Sequence, residues 1–404
     1  MLSPDNFFGL WAVILSGVAI TIRLEQRYRW AEWVGGPTLG LLIAAVLSNL
    51  RILPTEAPAY EVSSRFLLPV AIALLLFRAD LVEIARRAGS MLVPFLLCCI
   101  GTVLGAVAAH FLFRPWLPCS AELAGVETAS DIGGSVNFIA VREAFAIEAT
   151  QASALLVADN LVMVSAFVVL FWLARATWFR RFFPPSELDA EKAENPGRSK
   201  NVKPFDTPTR LTGSIPGIAI AFVFASIAER TAPWVQTWLH GGLPATLQFF
   251  SLDQILGNKY VLVSLLTVGA ATALRSFFAR LEGTHDLGVY LPYVYLFTLG
   301  LPADLFSVLS TAPTLLPFCA VVAFANVIFG LIVGKVLAMR LEPLLLTINA
   351  TVGGPSTAAA MAGACDWPRM VIPAILIGLL GYAVGTPIGI AVGRWLLTLS
   401  AGSP

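Results

Sequence analysis

Long apolar runs alternate with short polar joints along almost the whole chain. Apolar segments fall near 6–22, 33–49, 66–82, 91–113, 119–147 and 151–173, then near 211–229, 259–279, 287–308, 314–338, 343–365 and 371–397. Most approach the roughly 20 residues a helix needs to cross a bilayer. Between the two sets lies "RRFFPPSELDAEKAENPGRSKNVKPFDTPTR", rich in Pro and charge and without apolar periodicity, which reads as a linker. The pattern divides the chain into a first transmembrane repeat (1–177), a polar linker (178–210) and a connector helix with a second repeat (211–404). Residues 233–250, "PWVQTWLHGGLPATLQFF", fit either a weak crossing or an interfacial helix. The predicted fold is an all-α polytopic membrane protein of about 12–13 transmembrane helices.

Features recur in order on the two sides of the linker. Ala79-Asp80-Leu81 is matched by Ala303-Asp304-Leu305, and "LVPFLLC" (92–98) by "LLPFCAV" (315–321). Gly101, Gly105 and Ala109 recur as Gly330, Gly334 and Ala338, and "SDIGGSVNFIAV" (130–141) is echoed by "ATVGGPSTAAAM" (350–361). An ordered set of this kind points to internal duplication. Counting a crossing at 233–250 makes the repeats inverted, and the basic residues outside the linker then gather on the cytoplasmic side, a bias that the linker's own basic residues cancel; twelve helices with the N-terminus inside are the alternative.

Each repeat interrupts one apolar segment at its Gly-Gly pair. Gly133-Gly134 and Gly353-Gly354-Pro355 combine poor helix formers with a residue that lacks a backbone donor. In hydrocarbon such a break survives only beside protein or a water-filled cavity. The helix that restarts after it aims free N–H groups and a positive dipole end at the gap. Ser135 and Asn137 in one half, and Asn349, Ser356 and Thr357 in the other, add polar side chains there. Gly133, Gly134, Ser135, Asn137, Asn349, Gly353, Gly354, Ser356 and Thr357 are therefore the candidate solute-binding residues. Gly381, Gly385, Gly389 and Gly393, at four-residue spacing, read instead as a helix-packing seam, as do Gly36 with Gly40 and Gly101 with Gly105.

Composition supports the membrane reading and narrows the rest. Hydrophobic residues make up 57% of the 404 and charged residues 13%, about half the share of a soluble domain. A net charge of +1 gives no reason to expect nucleic acid. The five cysteines, at 98, 99, 119, 319 and 365, and the histidines at 110, 240 and 285 show no metal or disulfide spacing. The first segment carries Asp5 before it and Arg23, Arg27 and Arg29 after it. That is the reverse of a secretory signal, and predicts a retained helix with its N-terminus outside.

One carboxylate lies well inside an apolar segment. "SALLVADNLVMVSAFVV" places Asp159 and Asn160 on the segment after the first break. A charge there costs about 3 kcal/mol on insertion scales and usually marks an ion path. Asp and Asn offer hard oxygen ligands for Na⁺, and the carboxylate can instead carry H⁺. Asp159, Asn160 and Asp131 are the candidate ion-binding residues; Asp131 and Glu127 precede the break and are expected at the mouth of a cavity. Asp80 and Asp304 are expected in loops, and Arg142 with Glu143 as an interfacial pair. Without a second acid read beside Asp159, cation exchange alone is the less favoured mechanism.

At "IGGSVNFIAV", "VADNLVM", "TVGGPSTAAAMA" and "LIGLLGYAVGT" the chain resembles the YjcL-like membrane proteins, a domain of unknown function. These are grouped with the cation:proton antiporter/anion transporter superfamily, of NhaA and bile-acid-symporter type. The resemblance implies two crossed, broken helices in a core domain that moves against a panel, and dimerisation through the panel. It also implies an ion bound by an Asn-Asp or Asp-Asp pair, here reversed to Asp159-Asn160. The reading as a whole is an ion-coupled secondary transporter of a small anionic or zwitterionic solute in a prokaryotic inner membrane. Its partners are the lipid bilayer and the solute, and it has no cofactor beyond Na⁺ or H⁺ as coupling ion. Exchange of Na⁺ for H⁺ without organic substrate, a channel and a scaffold are the alternatives. No HExxH or GxSxG occurs, so an enzyme is not expected.

Overall fold

The computed structural model describes residues 2–28, 31, 36–184, 211–242, 252–281, 283–303, 305–365 and 367–401. Most of the polar linker, residues 185–210, lies outside the described residues, as do Asp304 and 243–251. The described chain is helical: α1 (Phe7–Arg27), α2 (Gly36–Asn49), α3 (Pro58–Leu76), α4 (Leu81–Arg87), α5 (Gly89–Phe113), α6 (Ser120–Phe145) and α7 (Ala149–Arg175). After the linker come α8 (Leu211–Gly242), α9 (Lys259–Ala273), α10 (Thr284–Gly300), α11 (Leu305–Val336), α12 (Leu341–Ala364) and α13 (Val371–Ala401), with a few single-turn pieces between. Local chemistry fixes several ends. Asn6 accepts from the Gly9 amide at the start of α1, Asp80 from the Val82 and Glu83 amides at α4, and Asn258 from the Tyr260 amide at α9.

Among the described residues, seven helices have the length and apolarity to cross a membrane: α1, α3, α5, α7, α8 from Ser214, α11 from Pro313, and α13. The helices α2 and α9 are apolar but shorter. This is fewer than the 12–13 read from the apolar runs. The difference lies in the short helices and in α6 and α12, which carry the breaks and their polar residues. The separate element expected at 233–250 is corrected: residues 233–242 simply continue α8 through Pro233. Proline removes one donor, and a membrane helix tolerates that loss where neighbouring groups take up the freed carbonyl.

The helices form two bundles. In the larger, α6 packs along α13 and α12, α11 lies against α5 and α7, and α12 packs on α13. In the smaller, α10 packs on α2 and α3 and α1 on α2, around a core of Leu10, Ile14, Val18, Ala44, Phe297 and Leu301. Glycine sets the closest approach in the larger bundle. A Cβ on Gly389 would lie 2.5 Å from the Gly125 carbonyl oxygen, and one on Gly385 3.0 Å from that of Ala129. The glycine stripe of α13 is thus the seam along which α6 lies. Gly101 and Gly105 meet α11 in the same way, at Asn326 and Val322. Large apolar side chains on α1, α5, α8 and α11 remain exposed, as a lipid-facing surface requires.

Candidate functional site

Both α6 and α12 are broken at the second glycine of their pair. Gly134 has φ 71° and ψ −171°, and Gly354 has φ 86° and ψ −173°. That backbone region is essentially closed to residues with a Cβ. Space is not the reason at these two positions, because an added Cβ would meet only Tyr382, at 3.5 Å from Gly134 and 3.4 Å from Gly354. The same distances place one tyrosine of α13 between the two breaks. The first glycines are constrained differently: a Cβ on Gly133 would strike the Asn137 side chain and the Gly381 carbonyl, and one on Gly353 the Phe167 ring.

Asn137 braces the first break. Its Nδ2 donates to the Gly133 carbonyl at 2.7 Å, and its Oδ1 accepts from the Thr386 amide at 3.1 Å and hydroxyl at 2.5 Å. At the second break, Thr357 donates to the Gly354 carbonyl at 3.0 Å. Breaks held in this way satisfy groups that hydrocarbon could not.

A cavity of about 850 Å³ opens between the two bundles at these breaks. Gly134, Ser135, Asn349, Gly353, Thr357 and Tyr382 line it from one side, with Asp159 and Asn160 of α7. The smaller bundle contributes Glu25, Pro292 and Tyr293. Gly133, Gly354, Asn137 and Asp131 are not among its lining residues, and the side chain of Ser356 lies outside the described residues. Glu25 and Tyr293 were not read from the sequence. Glu25 accepts from the Gly36 amide at 2.9 Å and the Tyr293 hydroxyl at 2.8 Å, so one carboxylate joins α1, α2 and α10 at the cavity wall.

Asp159 is 8% exposed, mid-helix, and accepts from the Ser130 hydroxyl at 2.7 Å. It is therefore not a helix-end cap. Asn160 donates to the Leu156 carbonyl at 2.8 Å. Behind Asp159 lie Glu127 and Asp131, both 0% exposed, with one carboxylate oxygen from each of the three residues within 4.8 Å of the others. Asp131 and Glu127 are thus not at the cavity mouth but buried behind the lining residue Asp159. The absence of a second acid beside Asp159 is likewise corrected. The signal was available: residues 127 and 131 are four apart, so one helix face carries both.

At the far end of α6, Arg142 Nη1 donates to Glu143 Oε1 at 2.5 Å and to the Tyr295 hydroxyl at 3.1 Å, and Tyr295 in turn donates to Glu143. Tyr295 belongs to α10, so this half-buried group ties the two bundles together.

The arrangement defines a class: a polytopic, all-helical integral membrane protein with a largely apolar cavity, set with a few polar groups, where two helices break. Over residues 12–399 the chain matches the family described as "Protein of unknown function (DUF819)", and it belongs to that family. It is 35% identical over 396 residues to the "Uncharacterized membrane protein YjcL" of Bacillus subtilis (strain 168), covering 98% of each chain. With these helices and this bacterial relative, its location is an integral, prokaryotic membrane one.

Proposed function

We propose that this protein is an ion-coupled secondary transporter of a small anionic or zwitterionic solute. The observation that carries this reading is the cavity of about 850 Å³ that both helix breaks and Asp159 share. In the proposal α6 and α12 are the crossed, broken helices of two inverted repeats, of the NhaA and bile-acid-symporter type. Restarted half-helices point amide groups at an anionic substituent, while carboxylate oxygens hold the ion. Ser135, Asn349, Thr357 and Tyr382 face the solute, and Asp159 with Asn160 faces the ion. Alternating access moves the larger bundle against the smaller, with the cavity between them. The protein does no covalent chemistry on its cargo.

Thermal unfolding of the purified protein tests the ion half of this reading, with Na⁺ compared with choline at fixed ionic strength and several pH values. An ion that binds only the folded state raises apparent stability by mass action. The expected result is an ion or pH effect in the wild type that disappears in Asp159→Ala. An identical response of the variant would remove Asp159 from the mechanism.

Cation exchange without organic solute is the second reading. The Glu127 and Asp131 carboxylates beside Asp159 favour it, because a group of acids can pass an ion and protons over one another. The two readings separate on whether flux requires an organic solute.

A further inference from the structure

Resting on the reading of Asp159 as an ion ligand, we propose that Glu127, Asp131 and Asp159 form one buried site for a hard divalent cation. Four carboxylate oxygens, both of Glu127 and both of Asp131, are buried without a hydrogen-bond partner. An acceptor buried without a partner leaves its desolvation uncompensated, the more so if it is charged. Such a concentration of unmet acceptors calls for an explanation, and a bound cation supplies one. The oxygens are aimed at one another, since the three residues each place one within 4.8 Å of the rest. The Cys319 thiol interacts with Glu127, but as a weak donor it leaves both Asp131 oxygens and most of the Glu127 acceptor capacity unmet.

Charge and size select the ion. Up to three negative charges converge in an apolar interior, where ions interact far more strongly than in water. A dication neutralises two of them, whereas a monovalent ion leaves most of the charge uncompensated. The donors are all oxygen, which favours Ca²⁺, Mg²⁺ or Mn²⁺ over softer metals. Ligand oxygens on opposite sides of Ca²⁺ are about 4.6–5.2 Å apart at bond lengths of about 2.3–2.6 Å, against about 4.2 Å for Mg²⁺. Three oxygens within 4.8 Å of one another admit either ion, and the titration distinguishes them.

The site also breaks the symmetry of the duplication. Two residues before the Gly-Gly pair, Asp131 corresponds to Thr351, and Glu127 corresponds in the same way to Thr347. Both threonines are uncharged and donate to backbone carbonyls. Cation binding therefore belongs to the first repeat.

The test uses the full chain in detergent, stripped with chelator and titrated with Mn²⁺ as a paramagnetic probe, with Ca²⁺ as competitor. The expected result is one Mn²⁺ per chain, displaced by Ca²⁺ and not by Na⁺ at equal ionic strength. Glu127→Gln and Asp131→Asn, near-isosteric and less charged, should each weaken binding at least tenfold. Their melting temperatures without metal should equal or exceed that of the wild type. No stoichiometric Mn²⁺ in the wild type overturns the proposal whatever the variants do, and so does binding unaltered in well-folded variants. A site that takes Na⁺ alone overturns the divalent assignment and leaves the transporter reading standing.

Discussion

Single residues decide whether the two helices can break. Gly134 and Gly354 adopt a backbone that an L-residue enters at about 1–3 kcal/mol, so Gly134→Ala and Gly354→Ala should each lower stability by that amount. Gly89, in the first turn of α5, has nothing within 4 Å of an added Cβ. There Gly89→Ala should stabilise, by up to about 1 kcal/mol. Thermal unfolding of the three variants in detergent checks both signs; equal effects at all three would mean that the break conformation is not required. Asn137→Ala removes three hydrogen bonds at the first break and should lower stability by about 2–4 kcal/mol, at about 1 per bond plus the penalty for groups left unpaired. At this scale the sequence was informative where polarity meets glycine. Gly133-Gly134 and Asp159 stand out because nothing apolar explains them. Glu127 was legible only as a helical neighbour of Asp131, and Glu25 not at all. A carboxylate at the end of an apolar run looks interfacial until tertiary contacts bring Gly36 and Tyr293 to it.

At the scale of elements, α6 is held from two directions. Along its length it lies on the glycine stripe of α13, where a Cβ on Gly389 would come within 2.6 Å of the Ala129 Cβ. Gly389→Ala should therefore destabilise by about 1–3 kcal/mol, the range for overpacking, although alanine is the better helix former. At its end, Arg142 and Glu143 meet Tyr295 of α10. Tyr295→Phe removes the hydroxyl common to both and should raise amide exchange near residue 145 while leaving the centre of α6 protected. Unchanged exchange there would mean that the contact does not hold the bundles together. The stripe was readable from four-residue spacing alone. The Tyr295 contact was not, since residues 142 and 295 are distant in sequence and only packing joins them. The continuity of α8 was obscured for a different reason: Pro233 and the charges before it resemble a boundary, but the helix runs through them.

For the whole molecule, hydrophobic content and run length were enough to show a polytopic membrane protein, because bilayer thickness imposes both. Among the described residues seven helices have the length and apolarity to cross, and run length alone does not separate these from short or broken ones. In the proposed transport cycle, the cavity between the bundles carries a solute whose movement is tied to an ion at Asp159. Proteoliposomes containing the wild type or Asp159→Asn would be incubated in a mixture of small-molecule metabolites under an imposed ion gradient, and their lumenal contents read by mass spectrometry. The wild type should concentrate one or a few small anionic or zwitterionic solutes at least tenfold over the variant, and collapsing the gradient should abolish the enrichment. Lumenal contents matching those of the variant and of protein-free liposomes under every gradient would contradict it.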